Sequence, residues 1–442
     1  MIFRKLFLLI VVVGIATITL AHAQSSSSHS SITVSEVKQI ADQPPFPLVE
    51  TFLAANPTNP DNMLASAVST STDSSIVYAT WDGGSTWQNV KNGNNGVFPG
   101  GDPMLAFDGN GRAYFTTITP TFTVWHSTDG GRTWSEPVHV DKELTHDRQW
   151  IAAAQKSDRS TLPIYAAAKT IDTKERQHVL VTNRSLDGAQ SFSETTIISS
   201  DNQNINTPTD LVVRNNGTVL LPYLVYHGYK SRSEGIARGE RLLLISDDQG
   251  ETWSGPHHIG EKLVYGNTAG DQRLTSKGLE APSLAVDKTG GKFDGSTYTA
   301  WTTIIDGHLQ VVAVHSRDGG RTWSEPNRVN DGGFNSNHST AMTAVNNDGV
   351  VAVTWNDRRN DSEGDCFQHY IAISYDGGQT FSRNNKISNR KTCPRSERFI
   401  NGGETQGLVA LPDGSFRVTW PVAKDDILTM GTAVINVAQN TE

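Results

Sequence analysis

Apolar and β-branched residues alternate with polar ones along most of this chain, and helical periodicity is nearly absent. Runs such as 211–225 and 308–314 read as strands. One unit recurs: an apolar strand, a turn built on Asn, Asp, Gly or Pro, and a second apolar strand. It covers 52–68, 104–118, 150–168, 211–225, 282–303, 341–355 and 407–420, which is seven inner pairs. After the last pair only 427–437 remains, as a third strand, while 31–40 near the N-terminus alternates in part like a strand. Joining the two chain ends in one sheet closes a ring without a free edge. The pattern predicts an all-β propeller of four-stranded blades, seven blades being favoured over six, with the ring closed by the N-terminal strand.

A second repeat supports this reading. An eight-residue phrase, S/T-x-D-x-G-x-T/S-W/F, stands at 80–87, 127–134, 185–192, 246–253, 316–323 and 374–381. Its aspartates, Asp82, Asp129, Asp187, Asp248, Asp318 and Asp376, are separated by 47, 58, 61, 70 and 58 residues, room for one four-stranded sheet each. Aspartate accepts backbone N–H bonds in a tight turn, and glycine takes the positive φ that other residues avoid. The closing Trp or Phe supplies apolar area to bury between sheets. A group repeated six times at a turn is a turn-former rather than a catalyst. The third copy has Ala189 where the others have glycine.

Composition narrows the setting. Arg4 and Lys5, an apolar run over 6–20 and Ala21-His22-Ala23 have the form of a Sec-type signal peptide cleaved after Ala23. The expected organisation is a signal peptide over 1–23, a polar leader over 24–31 and a single propeller domain over 32–442. Such a chain is secreted or periplasmic, with no membrane span after cleavage. The formal net charge of −9 and the lack of a basic run argue against a nucleic-acid partner. Cys366 and Cys393 are the two cysteines, 27 apart, on connections at the same face of blades six and seven. In an oxidising compartment they are expected to pair. No metal or cofactor signature is present: the turns at 108–111 and 346–349 do not continue into a calcium loop.

The boxes join third and fourth strands, so they lie opposite the face on which the inner strands begin. That face collects Glu50, Asp102, Asp147 with Arg148, Thr207 with Asp210, Glu280, His338 and Glu404. Longer loops nearby carry Tyr226, Arg273, Asp357 and Arg358. Carboxyl groups set across a glycosidic bond suit acid/base hydrolysis, and a guanidinium fork suits an acidic sugar. Candidate catalytic residues are Asp147, Glu280, Glu404 and Tyr226. Candidate substrate-binding residues are Arg148, Arg273, Arg358, Asp102 and Asp357.

The six boxes resemble those of the sialidase superfamily, the Asp-box or BNR-repeat proteins, across essentially the whole chain after the leader. The resemblance implies a glycoside hydrolase that holds a substrate carboxylate with arginines and uses a tyrosine, a glutamate and an aspartate for the chemistry. The early arginine of such enzymes has no counterpart in Phe46-Pro47-Leu48-Val49-Glu50-Thr51, so Arg148, Arg273 and Arg358 are candidates by position. Three functions remain open: an exported sialidase-like hydrolase acting on a glycan or glycoconjugate with an acidic sugar, a non-catalytic glycan- or protein-binding propeller, and a polysaccharide lyase.

Overall fold

In the computed structural model of the 442-residue chain, the described residues are 32–41, 47–71, 74–90, 96–118, 121–141, 145–156, 161–172, 177–199, 204–227, 237–260, 263–265, 283–332, 336–394, 402–424 and 427–438. Seven antiparallel blades form a ring, and every regular element among these residues is a strand. In blade 1 the strands run Leu48–Ala55, Met63–Ser69, Ser74–Thr80 and Gln88–Asn89 from the axis outward. Blades 2, 3, 5 and 6 repeat that order, with inner strands Gly101–Phe107, Thr145–Ala153, Leu284–Val286 and His338–Val345. In blade 4 the inner strand is broken into Asn204–Pro208 and Val212–Val213, so it begins earlier than the apolar run at 211 indicates.

Blade 7 closes the ring. Gly407–Ala410, Phe416–Lys424 and Ile427–Val437 come from the C-terminal end, and Ile32–Val34 adds the outer strand with Ile32 opposite Val437 and Val34 opposite Ile435. Covering the long edge of 427–437 in this way removes the one open edge the topology would leave. Apolar faces of adjacent blades then bury one another; one such cluster joins Phe416, Val418 and Trp420 of blade 7 to Ile371 and Ile373 of blade 6. The signal peptide and leader expected over 1–31 lie outside the described residues. No described helix is long and apolar enough to cross a membrane.

The repeated boxes have one geometry. Asp82 accepts the Thr86 backbone N–H at 2.9 Å and its hydroxyl at 2.6 Å, while Thr80 Oγ1 accepts the Gly84 N–H at 2.9 Å. The Thr86 hydroxyl bond, then its N–H bond, holds the Asp82 carboxyl down at about 2 against the upward push of burial. The same carboxylate pair of bonds recurs at Asp129, Asp187, Asp248, Asp318 and Asp376. Ala189 adopts the left-handed φ of 65° that glycine has elsewhere, and its N–H reaches Ser185 Oγ at 2.9 Å, so the third turn survives the substitution.

Five of the six boxes also latch their blade to the one before. The carbonyl at the fourth position accepts from a side chain of the preceding blade: Gly83 from Arg417 at 2.7 Å, Gly130 from Asn62 at 3.0 Å, and Gly188 from Arg112 at 3.3 Å. Gln249 accepts from Arg184 at 3.0 Å and Gly377 from Arg317 at 2.5 Å. Blade 7 has no box, and there Asn346 of blade 6 bonds the Gly414 carbonyl at 2.5 Å. The boxes therefore fasten turns and seams together on the side of the ring away from the inner-strand starts.

Candidate active site at the channel mouth

Four inner strands break register at the same level: between Val49 and Phe52, Gly101 and Met104, Asp147 and Trp150, and Ser339 and Met342. At each break one non-glycine residue takes a left-handed φ: Glu50 at 54°, Asp102 at 50°, Arg148 at 57° and Thr340 at 57°. A side chain in that region costs about 1–3 kcal/mol, and the β-branched Thr340 is the most crowded of the four. A bulge re-aims a side chain, and four at one level set a ring of polar groups around the axis. Blade 7 contributes Gly403, φ 106°, where a Cβ would stand 2.3 Å from Glu50 Cγ. Thr340 Oγ1 lies 3.5 Å from the Gly403 carbonyl, and the Glu50 N–H donates to the Gly402 carbonyl at 2.9 Å.

Within this ring the charges of blades 2, 3 and 7 meet. Arg148 forms an ion pair with Glu404, and Lys169 of the neighbouring strand pairs with Asp147. The Gln149 carboxamide donates to the Asp102 backbone carbonyl. Burial raises the Asp102 carboxyl above its ordinary range; Arg148 opposes that rise and the negative charge of Asp147 adds to it. Burial acts on Asp147 in the same direction, but Lys169 and then Arg148 outweigh it and hold this carboxyl below its ordinary range. Two neighbouring carboxyl groups are thus driven apart, one toward its protonated form and one toward its ionised form.

Beneath the mouth an axial channel of about 270 Å³ is walled by inner-strand residues of all seven blades. Phe52 and Trp150 meet there edge to face at 5.9 Å. Asp210 lines the same channel and accepts the Leu211 and Leu284 N–H groups at 2.7 and 2.6 Å, yet burial still raises its carboxyl to about 7.

The structure therefore groups Asp147, Arg148, Asp102 and Glu404. Arg358 and Asp357 belong to blade 6 and make other contacts. Arg358 is buried, donates to Ser339 Oγ at 3.2 Å and lies 5.6 Å from the Phe367 ring. Asp357 is buried among Trp355 Nε1 at 2.9 Å, Arg359 Nη2 at 2.7 Å and His338 Nδ1 at 3.2 Å. Burial is opposed there by His338 and Arg359, which hold Asp357 far below the ordinary carboxylate range. Glu280 and Arg273 lie outside the described residues, as does the side chain of Tyr226. Lys169 was not singled out in the sequence, although a lysine inside the apolar run 164–171 is a visible signal. Among the described residues, no three His, Cys, Asp or Glu side chains are grouped to hold a metal ion. Cys366 and Cys393 form a disulfide on the mouth face.

Solved structures that resemble the chain include a protein of unknown function from Dyadobacter fermentans, 13% identical with a TM-score of 0.50 over 92% of this chain and 99% of that one. The NanB sialidase from Streptococcus pneumoniae is 12% identical, TM-score 0.45, over 92% of this chain and 70% of that one. An α-L-arabinofuranosidase from Fusarium graminearum is 12% identical, TM-score 0.45, over 74% and 89%. No curated protein matches the chain. Residues 116–417 match the BNR repeat-like domain, so the chain belongs to the BNR repeat-like family.

Proposed function

We propose that this protein is an exported glycoside hydrolase, sialidase-like in fold, that acts at the channel mouth on a glycan or glycoconjugate carrying an acidic sugar. The observation that carries the reading is the divergence of Asp102 and Asp147 beside the Arg148–Glu404 pair: burial pushes the Asp102 carboxyl up, while Lys169 and Arg148 outweigh burial and hold Asp147 down. Asp102 donates its proton to the leaving glycosidic oxygen as the bond to the anomeric carbon breaks. Asp147, ionised, serves the anomeric carbon directly or takes a proton from the attacking water. Arg148 presents its guanidinium to the acidic group of the sugar, with Glu404 fixing its orientation. Strain at Glu50, Asp102, Arg148 and Thr340 fits a site whose side chains are aimed by function at a cost in stability. The hydrophobic start at 1–23 and the disulfide favour an oxidising, exported location.

The experiment is a hydrolysis screen on acidic and neutral glycans with chromatographic detection of released sugar. Release by the wild-type protein that is lost in Asp147→Asn and Asp102→Asn, both still folded, supports the reading. An ultraviolet-absorbing unsaturated product would mark a lyase, and binding without any product would mark a non-catalytic propeller.

A further inference from the structure

A second cavity on the mouth face lies outside the cluster described above. It encloses about 380 Å³ between blades 6 and 7, in the size range of roughly 300–1,000 Å³ typical of small-molecule sites. One wall is the segment 388–392, which leads from the outer strand of blade 6 to blade 7. The other is the end of Phe416–Lys424 with the N-terminal edge at 36–39. The walls are fixed. Phe367 and Thr392 bridge each other, the Thr392 hydroxyl donates to the Pro421 carbonyl at 3.1 Å, and the disulfide closes at Cys393, the next residue.

Its lining favours an anionic, oxygen-rich ligand. Arg390 is exposed and makes no ion pair among the described residues, and Lys391 stands beside it, paired with Asp361 at 3.0 Å. Trp420, fully buried at the back, has an indole N–H without an acceptor. Its ring is held flat by His369, stacked at 5.1 Å and 10°; burial lowers that imidazole to about 3, so it stays neutral. Glu36 and Gln39 supply acceptors of the kind sugar hydroxyls use. The cavity is also close to the mouth. Pro421 touches Gly402, where a Cβ would lie 2.9 Å from the proline Cγ, and the Gly402 carbonyl takes the Glu50 N–H.

We infer that this groove between blades 6 and 7 is an accessory subsite for a carboxylate-bearing sugar unit of an extended glycan, held by Arg390 while another unit occupies the mouth. The inference rests on the glycan reading of the mouth but binds through different residues. The test uses the full chain carrying Asp147→Asn and Arg148→Ala, which removes turnover and the mouth guanidinium. Calorimetric titration compares sialyllactose with lactose. Sialyllactose is expected to bind this background more tightly than lactose, and adding Arg390→Ala is expected to weaken it roughly tenfold, as loss of a charge-assisted bond does. No binding in the mouth-disabled background, or binding within twofold after Arg390→Ala, overturns the subsite. Since neither outcome involves hydrolysis, failure here leaves the mouth reading standing, and failure of the hydrolysis screen leaves this result interpretable.

Discussion

The seam between blades 7 and 1 offers a direct test of the latch role of the boxes. Arg417 is 5% exposed and donates to the Gly83 carbonyl at 2.7 Å, with its guanidinium lying against Gly84. Replacing it by methionine keeps most of the apolar stem but leaves that carbonyl without its donor. A hydrogen bond from a charged group contributes about 1.5–3 kcal/mol, and part of this is offset because the guanidinium no longer has to be buried. The net loss is therefore about 1–2 kcal/mol. With an unfolding entropy of about 2.1 cal/mol/K per residue, a folded domain of this length shifts by about 1–3 °C in Tm for that loss. Differential scanning calorimetry at a fixed scan rate, on wild type and Arg417→Met, reads the difference, and Arg317→Met at the seam of blades 5 and 6 should behave alike. An unchanged Tm in both variants would refute the view that the box carbonyls hold neighbouring blades together.

Three further outcomes follow from the same physics. Asp210 keeps its proton up to about pH 7 in the fold, whereas an unfolded chain releases it near 4. The folded state thus binds the extra proton, so the urea midpoint should decline between pH 4 and 7 in wild type, less so in Asp210→Asn; parallel profiles would contradict the burial argument. Removing the disulfide as Cys366→Ser with Cys393→Ser opens a loop of 27 residues, which costs about 3.5 kcal/mol in the chain-entropy model and should lower the urea midpoint measurably. Glu50→Gly relaxes a left-handed φ of 54° and should raise stability by about 0.5–1 kcal/mol while reducing glycan turnover; a destabilised variant would show that Glu50 is not strained.

The fold was legible because its signals are local and repeated. Six boxes carry their own turn chemistry, and a strand missing at the C-terminal end pointed to 31–40 as the closing piece, where Ile32–Val34 is found. The latches were hidden because their donors, Arg112, Arg184, Arg317 and Arg417, hold unrelated positions in their own blades. The mouth was half visible. Position before an inner strand identified Asp102, Asp147, Arg148 and Glu404, since all inner strands start on one face. The bulges were not visible, because a left-handed backbone is normally flagged by glycine and here falls on Glu50, Asp102, Arg148 and Thr340. Nor does a sequence give the partners of an arginine: Arg148 pairs with Glu404, whereas Arg358 bonds Ser339 and lies near the Phe367 ring. The contrast between Asp102 and Asp147 depends on Lys169 reaching across from the next strand, a register effect absent from linear spacing.

The claim that the mouth is an acid/base pair is tested most directly by the pH profile of sugar release, with Asp102 and Asp147 neutralised one at a time. Raised and lowered carboxyls predict a bell-shaped profile in wild type. Asp102→Asn should remove its alkaline limb, Asp147→Asn its acidic limb, and each should cut the rate at least a hundredfold. Release that persists in both variants with an unchanged profile would contradict the account.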